Sequence, residues 1–336
     1  MQFFKKTVTA FFLLFMILEM GCKSDPKPPS EPAPSVTIEA PKFDRDSAFS
    51  FVEKQLKFGP RLPNTDGHLA CKEWLVEQFE KYGLTVTEQP FKAKAYTGTE
   101  LNGTNIIAQY NPTAEKRIML AAHWDTRHIA DSDLSTERKD EPILGADDGG
   151  SGVGVLLEIA RQLNANPTGI GVDFILFDAE DQGDDDGTEP NPESWCLGSQ
   201  YWSKNLIPAG YRPKHAILFD MVGARNAKFP KEGVSMNFAP QLVNKIWALG
   251  QELGYGRFFI NETTGMVTDD HFFVNTVAKI PMIDIIGMPK PAGTNNSFGR
   301  HWHTHDDNMD VIDIRTLRAV GQTVLEMIYR EAAGQF

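Results

Sequence analysis

The chain has 336 residues, of which 41% are hydrophobic and 23% are charged, proportions that are ordinary for a globular protein with a substantial core. Its formal net charge is −12, which argues against a nucleic acid or an anionic membrane surface as a partner, because binding to either requires basic side chains that neutralise phosphates. Composition alone says little about the partner that the chain does have.

Residues 1–21 have the pattern of an export signal. Two lysines precede the apolar run FFLLFMIL at residues 11–18, which is too short to span a bilayer. The following Gly-Cys22 resembles a bacterial lipoprotein signal, in which Cys22 would carry the lipid, although Glu19 stands where such signals usually have leucine. The alternative is an ordinary secretory signal that is cleaved nearby. Both interpretations predict an exported, periplasmic protein.

The Pro/Ser-rich residues 22–41 are predicted to form an extended tether, with the lipid on Cys22 as the only attachment to a membrane. No composition break or repeat follows, so we expect residues 42–336 to form one domain, which acts as a monomer. Cys71 and Cys196 could form a disulfide in an exported protein, but their spacing in the sequence leaves this open.

Helices and a hairpin are predicted from local patterns. Apolar residues recur at helical spacing from His68 to Tyr82, before a glycine that is typical of a helix end, and also from Ser151 to Leu163 and from Thr316 to Glu331. The segments LTVTEQPF and NIIAQY have the alternating or apolar character of strands in a hairpin at a sheet edge.

Four short, continuous apolar runs indicate buried strands. The runs are Arg117–Ala122, Val172–Phe177, Ala216–Phe219 and Pro281–Ile286. Because helical segments intervene, these runs favour an α/β fold with a mostly parallel sheet, in which ligands bind beyond the carboxyl ends of the strands.

A histidine or a carboxylate follows three of these runs directly. His123 follows the first, Asp178 follows the second with Glu180 and Asp181 close behind, and Asp220 follows the third. A buried carboxylate without a partner is very costly, so these groups must be paired or must bind a metal.

Further candidate ligands stand in other motifs. Asp147 and Asp148 lie in GADDGGSG before a helix, Asp269 and Asp270 lie in TDDHF, and His303 lies in HWHTH. Each signal is weak alone, since an aspartate pair before a helix is often a cap and a single histidine is usually structural. Together, nitrogen and carboxylate ligands suit zinc, which keeps one open position in catalytic sites.

The motifs AAHWD, GADDGGSG, FDAED, LFDMVG, TDDHF and WHTHDD occur in this order along the chain. In this respect the chain resembles the zinc-aminopeptidase family, and within it the type II glutaminyl cyclases, over roughly residues 43–336. The resemblance implies a central, mostly parallel mixed sheet flanked by helices, the phosphorylase/hydrolase-like fold of that family.

The resemblance also implies roles for ten residues. The implied zinc ligands are Asp148, Asp181 and His303, the general base and acid is Glu180, and two further active-site acids are Asp220 and Asp269. The implied pocket aromatics are Trp195, Phe298 and Trp302. His123 is either a pocket residue hydrogen-bonded to Asp125 or a ligand of a second metal. The animal cyclases carry glutamate at the position of Asp181, whose shorter side chain would place the metal deeper or draw the loop inward.

The reaction implied by the resemblance is the cyclisation of N-terminal glutamine in peptides or proteins to pyroglutamate, with one zinc ion. The alternative is an aminopeptidase with two zinc ions, the second held by His123, Asp220 and a bridging Asp148. The aromatic pocket favours the cyclase, although each aromatic could simply pack in the core. A proton shared between Asp220 and Asp269 would also disfavour a second cation.

A third hypothesis, a binding lipoprotein without catalysis, is disfavoured because no expected catalytic residue is missing.

The remaining polar clusters are assigned supporting roles. We expect His301 and His305 to be partly exposed or to lie behind the metal ligands, and Asp307 to orient His303 or to order its turn. The acidic segment 181–193 invites a calcium interpretation, but Asp186 stands where an EF-hand requires glycine. A solvated loop at the rim of the site is the simpler expectation.

Overall fold

The computed structural model describes residues 39–184, 191–290 and 297–336. The predicted signal, most of the tether and the middle of the acidic segment lie outside the described residues. By its contacts, the described part of the chain forms one compact unit. No helix among the described residues is long and apolar enough to cross a membrane.

A central sheet of six strands has the order β1-β2-β4-β3-β5-β8, and a separate two-stranded sheet pairs β6 with β7. The strands are β1 (Thr85–Lys94), β2 (Glu100–Tyr110), β3 (Arg117–His123), β4 (Gly171–Phe177), β5 (His215–Asp220), β6 (Phe229–Lys231), β7 (Phe259–Thr263) and β8 (Met282–Ile286). Strands β4, β3, β5 and β8 are parallel, whereas β1 and β2 form an antiparallel hairpin at one edge. The predicted mostly parallel α/β sheet and its edge hairpin are confirmed.

Eight α-helices surround the sheet in the described residues. They are α1 (Arg45–Leu56), α2 (Asp66–Lys81), α3 (Gly150–Ala165), α4 (Leu197–Lys204), α5 (Gly233–Phe238), α6 (Pro240–Glu252), α7 (Asp270–Phe273) and α8 (Ile314–Ala332). The predicted helices correspond to α2, α3 and α8 within a few residues at each end. The other five helices and the small sheet were not predicted.

Both faces of the parallel strands are buried, which explains why these strands read as continuous apolar runs. In β3, Ile118 and Leu120 belong to the larger core, which includes residues of α1, α3 and α8. The alternate residues Met119 and Ala121 belong to a second cluster, which includes Trp202 of α4. Because successive side chains point to opposite faces of a strand, one apolar run supplies both cores.

The parallel strands place their carboxyl ends at one edge of the sheet. His123 ends β3, Asp220 ends β5, and the Asp178–Asp181 segment follows β4 directly. Helix α3 approaches closely here, because a Cβ added to Gly152 would lie 2.4 Å from the carbonyl oxygen of Phe219. The fold therefore brings three chain segments with polar side chains to one place, as expected for open α/β sheets.

Replacing Glu232 with glutamine is expected to destabilise the protein by about 2 kcal/mol at pH 7. Burial alone would raise the pKa of Glu232, but hydrogen bonds from His271 and from the first backbone amides of α5 lower it to about 2. Since the folded pKa lies below the ordinary value of 4.5, the ionised carboxylate stabilises the fold above about pH 4.5. This contribution is lost as the pH falls towards 2.

Urea unfolding of the wild type and E232Q between pH 7 and pH 3 checks this expectation. The difference in free energy of unfolding should shrink as the pH falls. E53Q is the control, because the Glu53–Lys57 pair is half exposed and should contribute little. A difference for E232Q that does not change with pH would contradict the prediction.

Candidate active site

A cavity of about 330 Å³ lies at the carboxyl ends of the parallel strands. Nine of the ten residues to which the sequence assigned a role line it, namely Asp148, Glu180, Asp181, Trp195, Asp220, Asp269, Phe298, Trp302 and His303. The tenth, His123, is buried behind the cavity wall, where it contacts Asp148 and Asp220. The predicted site residues thus converge from six separate segments.

Asp148, Asp181 and His303 form a buried triad whose potential ligand atoms all lie within 4.8 Å of one another. The His303 Nε2 atom is 3.1 Å from Asp181 Oδ1 and 3.9 Å from Asp148 Oδ2. The other ring nitrogen, Nδ1, lies 2.9 Å from a carboxylate oxygen of Asp131. A carboxylate behind a histidine fixes the ring and leaves its other nitrogen free for a metal.

This triad fits zinc. One nitrogen and two carboxylates are a donor set that zinc accepts, and a three-ligand site leaves a position open for a substrate. The Asp181 Oδ2 atom is buried and finds no hydrogen-bond partner among the described residues, as expected of an oxygen that awaits a cation. Burial alone would lower the pKa of His303, but Asp181 and Asp131 raise it to about 9, so the surroundings favour positive charge.

A second buried triad consists of His123, Asp148 and Asp220. The His123 Nε2 atom lies 3.1 Å from Asp148 and 3.3 Å from Asp220. Its Nδ1 atom is 3.5 Å from Asp125, which is longer than the hydrogen bond that was predicted between these residues. The residues needed for a second metal are therefore close together, with Asp148 shared between the two triads.

Glu180 lines the cavity, follows β4 next to Asp181, and lies in a buried group with Cys196 and Asp269. The Cys196 thiol donates a hydrogen bond to Glu180 Oε1 at 3.2 Å, and the backbone amide of Glu180 donates to Asp125. Burial, together with the charges of Asp181 and Asp269, raises the pKa of the Glu180 carboxyl well above its usual range. A carboxyl group with a raised pKa is suited both to accept and to return a proton.

Asp220 and Asp269 influence each other across the cavity. Burial and the charge of Asp269 raise the pKa of Asp220 to about 8, against the opposing effect of His123. The sharing of a proton between the two acids stays a prediction, since Asp220 Oδ1 and Asp269 Oδ2 are buried without a hydrogen-bond partner among the described residues. Asp269 also belongs to a buried cluster with His271 and Asp284, and no pattern in the sequence singles out Asp284.

Aromatic side chains form one wall of the cavity. The Trp302 ring stacks on His303 with centroids 3.7 Å apart, and Phe298 packs against Trp302 at 5.2 Å. Trp195 lies nearly parallel to the His303 ring at 6.0 Å. All three aromatics are only partly buried, so they contact the cavity rather than fill the core.

The histidines that flank His303 point away from the metal triad. His303 has a left-handed backbone conformation with φ of 53°, in a turn. As a result, His301 contacts Asp147 at 2.8 Å and His305 contacts the carbonyl oxygen of Arg138 at 3.0 Å. A left-handed conformation in a non-glycine residue is unfavourable and is found often at functional sites.

Asp125 and Asp307 hold the ligand segments through backbone hydrogen bonds. Asp307 was expected to orient His303 or to order its turn. Instead, it accepts from the amides of Asp147 and Asp148, so it orders the segment of a different ligand, Asp148. Asp125 accepts from the amides of Glu180 and Asp181. From the sequence, Asp125 was predicted only as a hydrogen-bond partner of His123, and only its position two residues beyond a strand end indicated this further role.

Cys71 and Cys196 are both buried and unpaired, which settles the question that their spacing left open. The calcium hypothesis for the acidic segment receives no test, because residues 185–190 lie outside the described chain.

Known proteins resemble this chain over most of its length. Residues 105–328 match the model of peptidase family M28. The solved glutaminyl cyclase of Bacteroides thetaiotaomicron, bound to N-acetylhistamine, is 49% identical with a TM-score of 0.83, over 87% of this chain and 99% of that one. A Zn-dependent exopeptidase from Parabacteroides distasonis is 46% identical with a TM-score of 0.83, over the same shares.

A more distant relative bears the same kind of name. The glutaminyl-peptide cyclotransferase of Drosophila melanogaster is 24% identical over 281 residues, which cover 76% of this chain and 73% of that protein. Together with the matched family model, these similarities show that the chain belongs to peptidase family M28.

Proposed function

We propose that this protein is a glutaminyl-peptide cyclotransferase, which converts the N-terminal glutamine of peptides or proteins to pyroglutamate and releases ammonia. The observation that carries the proposal is that Glu180 lines the same cavity as the Asp148–Asp181–His303 triad and the aromatic wall. The glutaminyl cyclase that shares 49% of its residues with this chain supports the same reaction.

The chain supplies groups for each proton movement of this reaction. The α-amine nitrogen attacks the side-chain carbonyl carbon, a C–N bond forms, and the bond to the amide nitrogen breaks. Glu180 accepts the proton of the α-nitrogen and returns it to the departing nitrogen, which leaves as ammonia. Asp220 and Asp269 face the same cavity and can hold the amide N–H groups by hydrogen bonds.

Zinc is the metal that the family and the donor set support. Asp148, Asp181 and His303 would hold it, and we propose that one ion is bound. The chemistry that bound zinc supplies at this position is Lewis-acid polarisation of the side-chain carbonyl group.

The second candidate function is a two-zinc aminopeptidase. It is favoured by one observation, the buried triad of His123, Asp148 and Asp220. Against it, the named cyclases among the relatives favour the first function.

The proposal is tested by following ammonia release from a peptide that begins with glutamine. Zinc-loaded protein should release ammonia in proportion to pyroglutamate formed. A peptide of the same composition with glutamine in second place is the control and should release none. Equal release from both peptides, or from neither, would refute the cyclase.

Replacing Trp302 with alanine is expected to raise KM for a glutamine peptide about tenfold, with a smaller effect on kcat. The indole lies in the cavity wall and stacks on His303, so its loss removes surface that holds the substrate. W74A is the control, because Trp74 packs against Phe51 and Phe58, outside the cavity. An unchanged KM in W302A would assign this indole to core packing instead.

We also propose that the mature protein is exported and attached to a membrane through lipid on Cys22, as a monomer. The support is the pattern of residues 1–41 alone. Radiolabelled palmitate should label the wild type but not C22A in bacterial cells, and C22A should move to the soluble periplasmic fraction. Gel filtration of the chain without its first 41 residues checks the monomer.

A further inference from the structure

Arg127 is a fully buried arginine beside the cavity, four residues beyond the end of β3. Its Nη1 atom donates to the carbonyl oxygens of Asp181 at 3.1 Å and Gly183 at 2.7 Å. Its Nε and Nη2 atoms donate to the two carboxylate oxygens of Asp131. The guanidinium carbon also lies 4.6 Å from the centre of the Trp195 ring, within the range of a cation–π contact.

These contacts reach two of the three proposed zinc ligands. The backbone of Asp181 is held directly. His303 is held indirectly, because Arg127 donates hydrogen bonds to the Asp131 carboxylate, and this carboxylate lies 2.9 Å from His303 Nδ1. Carboxylates behind ligating histidines typically change metal affinity 10- to 100-fold when they are lost.

The same arginine also reaches the aromatic wall. Trp195 contacts Arg127 and also approaches His303, since its ring centre lies 4.6 Å from the guanidinium carbon and its ring lies nearly parallel to the imidazole at 6.0 Å. The Trp195 Nε1 atom donates to the carbonyl oxygen of Asp184 at 3.3 Å, which lies next to the Gly183 carbonyl that Arg127 holds.

We propose that Arg127 is a positioning residue that ties the geometry of the zinc site to that of the substrate wall, by holding Asp131 against His303, the Asp181–Gly183 backbone, and the Trp195 ring. This proposal rests on the zinc site proposed above but not on the cyclisation reaction. Arginine is needed because its planar fork can serve a carboxylate and two carbonyls at once, whereas lysine offers a single charged nitrogen.

The test compares R127M and R127K with R117M. Arg117 is the matched control, since it is also mostly buried and also donates hydrogen bonds from two nitrogens to one carboxylate, that of Asp173. However, Arg117 lies at the opposite end of β3, far from the proposed zinc site. Zinc affinity is measured by competition with a chromogenic chelator, and thermal unfolding is recorded for every variant with and without zinc.

We expect R127M to bind zinc at least tenfold more weakly than the wild type, R127K to lie between them, and R117M to lose stability with zinc affinity unchanged within twofold. If R127M and R117M lose stability alike while both keep wild-type zinc affinity, Arg127 is merely structural and the proposal is wrong. Should R127M fail to fold, D131N replaces it, because it removes the charge behind His303 with little change of shape and should weaken zinc binding similarly.

The link to the aromatic wall has its own readout. With zinc at saturating concentration, KM of R127K for a glutamine peptide should rise several-fold while R117M keeps the wild-type KM. An unchanged KM in R127K would overturn the coupling to Trp195. Zinc affinity is measured without substrate. Failure of the cyclase assay would therefore refute the proposed reaction, but the zinc-affinity measurement would still test the role of Arg127.

Discussion

Replacing Glu180 with glutamine is expected to lower kcat for a glutamine peptide by a factor of about 10²–10⁴. Glutamine keeps the size of the side chain but cannot accept the proton of the α-nitrogen. The Cys196 thiol can still donate to the amide oxygen that replaces Glu180 Oε1, so the side chain should keep its place. The rate is measured by ammonia release at saturating substrate, with zinc content and thermal unfolding recorded in parallel.

The control for E180Q is E158Q. Glu158 is also a fully buried carboxylate, but it pairs with Arg161 on helix α3 and does not line the cavity. E158Q should lose stability and keep its kcat, whereas E180Q should keep zinc content. An E180Q protein that retains more than about a tenth of the wild-type rate would exclude Glu180 as the principal base.

Replacing His303 with alanine is expected to abolish both zinc binding and activity. The variant loses the only nitrogen of the Asp148–Asp181–His303 triad and leaves Asp131 without the ring that faces it. Metal content after dialysis against a weak chelator should fall from one zinc ion per chain to none. The expected loss of activity exceeds about 10³-fold, because carbonyl polarisation disappears with the metal.

His123 distinguishes the one-zinc enzyme from the two-zinc alternative. H123A should retain one zinc ion per chain if only the first triad is occupied. A wild-type protein with two zinc ions, of which H123A loses one, would support the aminopeptidase arrangement. H305A serves as the neutral control, because His305 lies two residues from the ligand but points to the carbonyl of Arg138.

The parallel sheet and the polar residues at its carboxyl edge could be predicted because local sequence carried the relevant signal. Continuous apolar runs indicated the parallel strands, and a histidine or a carboxylate after three of the four runs indicated one edge of the sheet. The ligand roles of Asp148, Asp181 and His303 came from a family resemblance, since an aspartate pair before a helix or a single histidine has several ordinary explanations.

Residues that act through tertiary contacts were harder to predict. Asp307 orders a segment that precedes it by about 160 positions, and Arg127 reaches the backbone at Asp181 and Gly183 from more than 50 positions away. Neither contact is marked in the sequence by a periodic pattern or by a characteristic spacing of residues. The direction of His301 and His305 likewise depended on the left-handed turn at His303, which the residue types alone do not reveal.

The unpredicted helix α6 shows a second limit. It begins at Pro240 and packs against α8 and β7, and its apolar face includes Ile246 and Trp247. Its apolar residues recur at helical spacing, but this helix carries none of the polar motifs from which the site was predicted. The small sheet of β6 and β7 is shorter and carries a register irregularity, so no alternating pattern marks it.

The most direct test of the proposed function is mass spectrometry of two peptides incubated together with zinc-loaded protein, one beginning with glutamine and the other with leucine. The cyclase predicts that the first peptide loses the mass of one ammonia while the second remains unchanged. Release of the N-terminal leucine, with the glutamine peptide not cyclised, would contradict the cyclase and assign the protein to the two-zinc aminopeptidases.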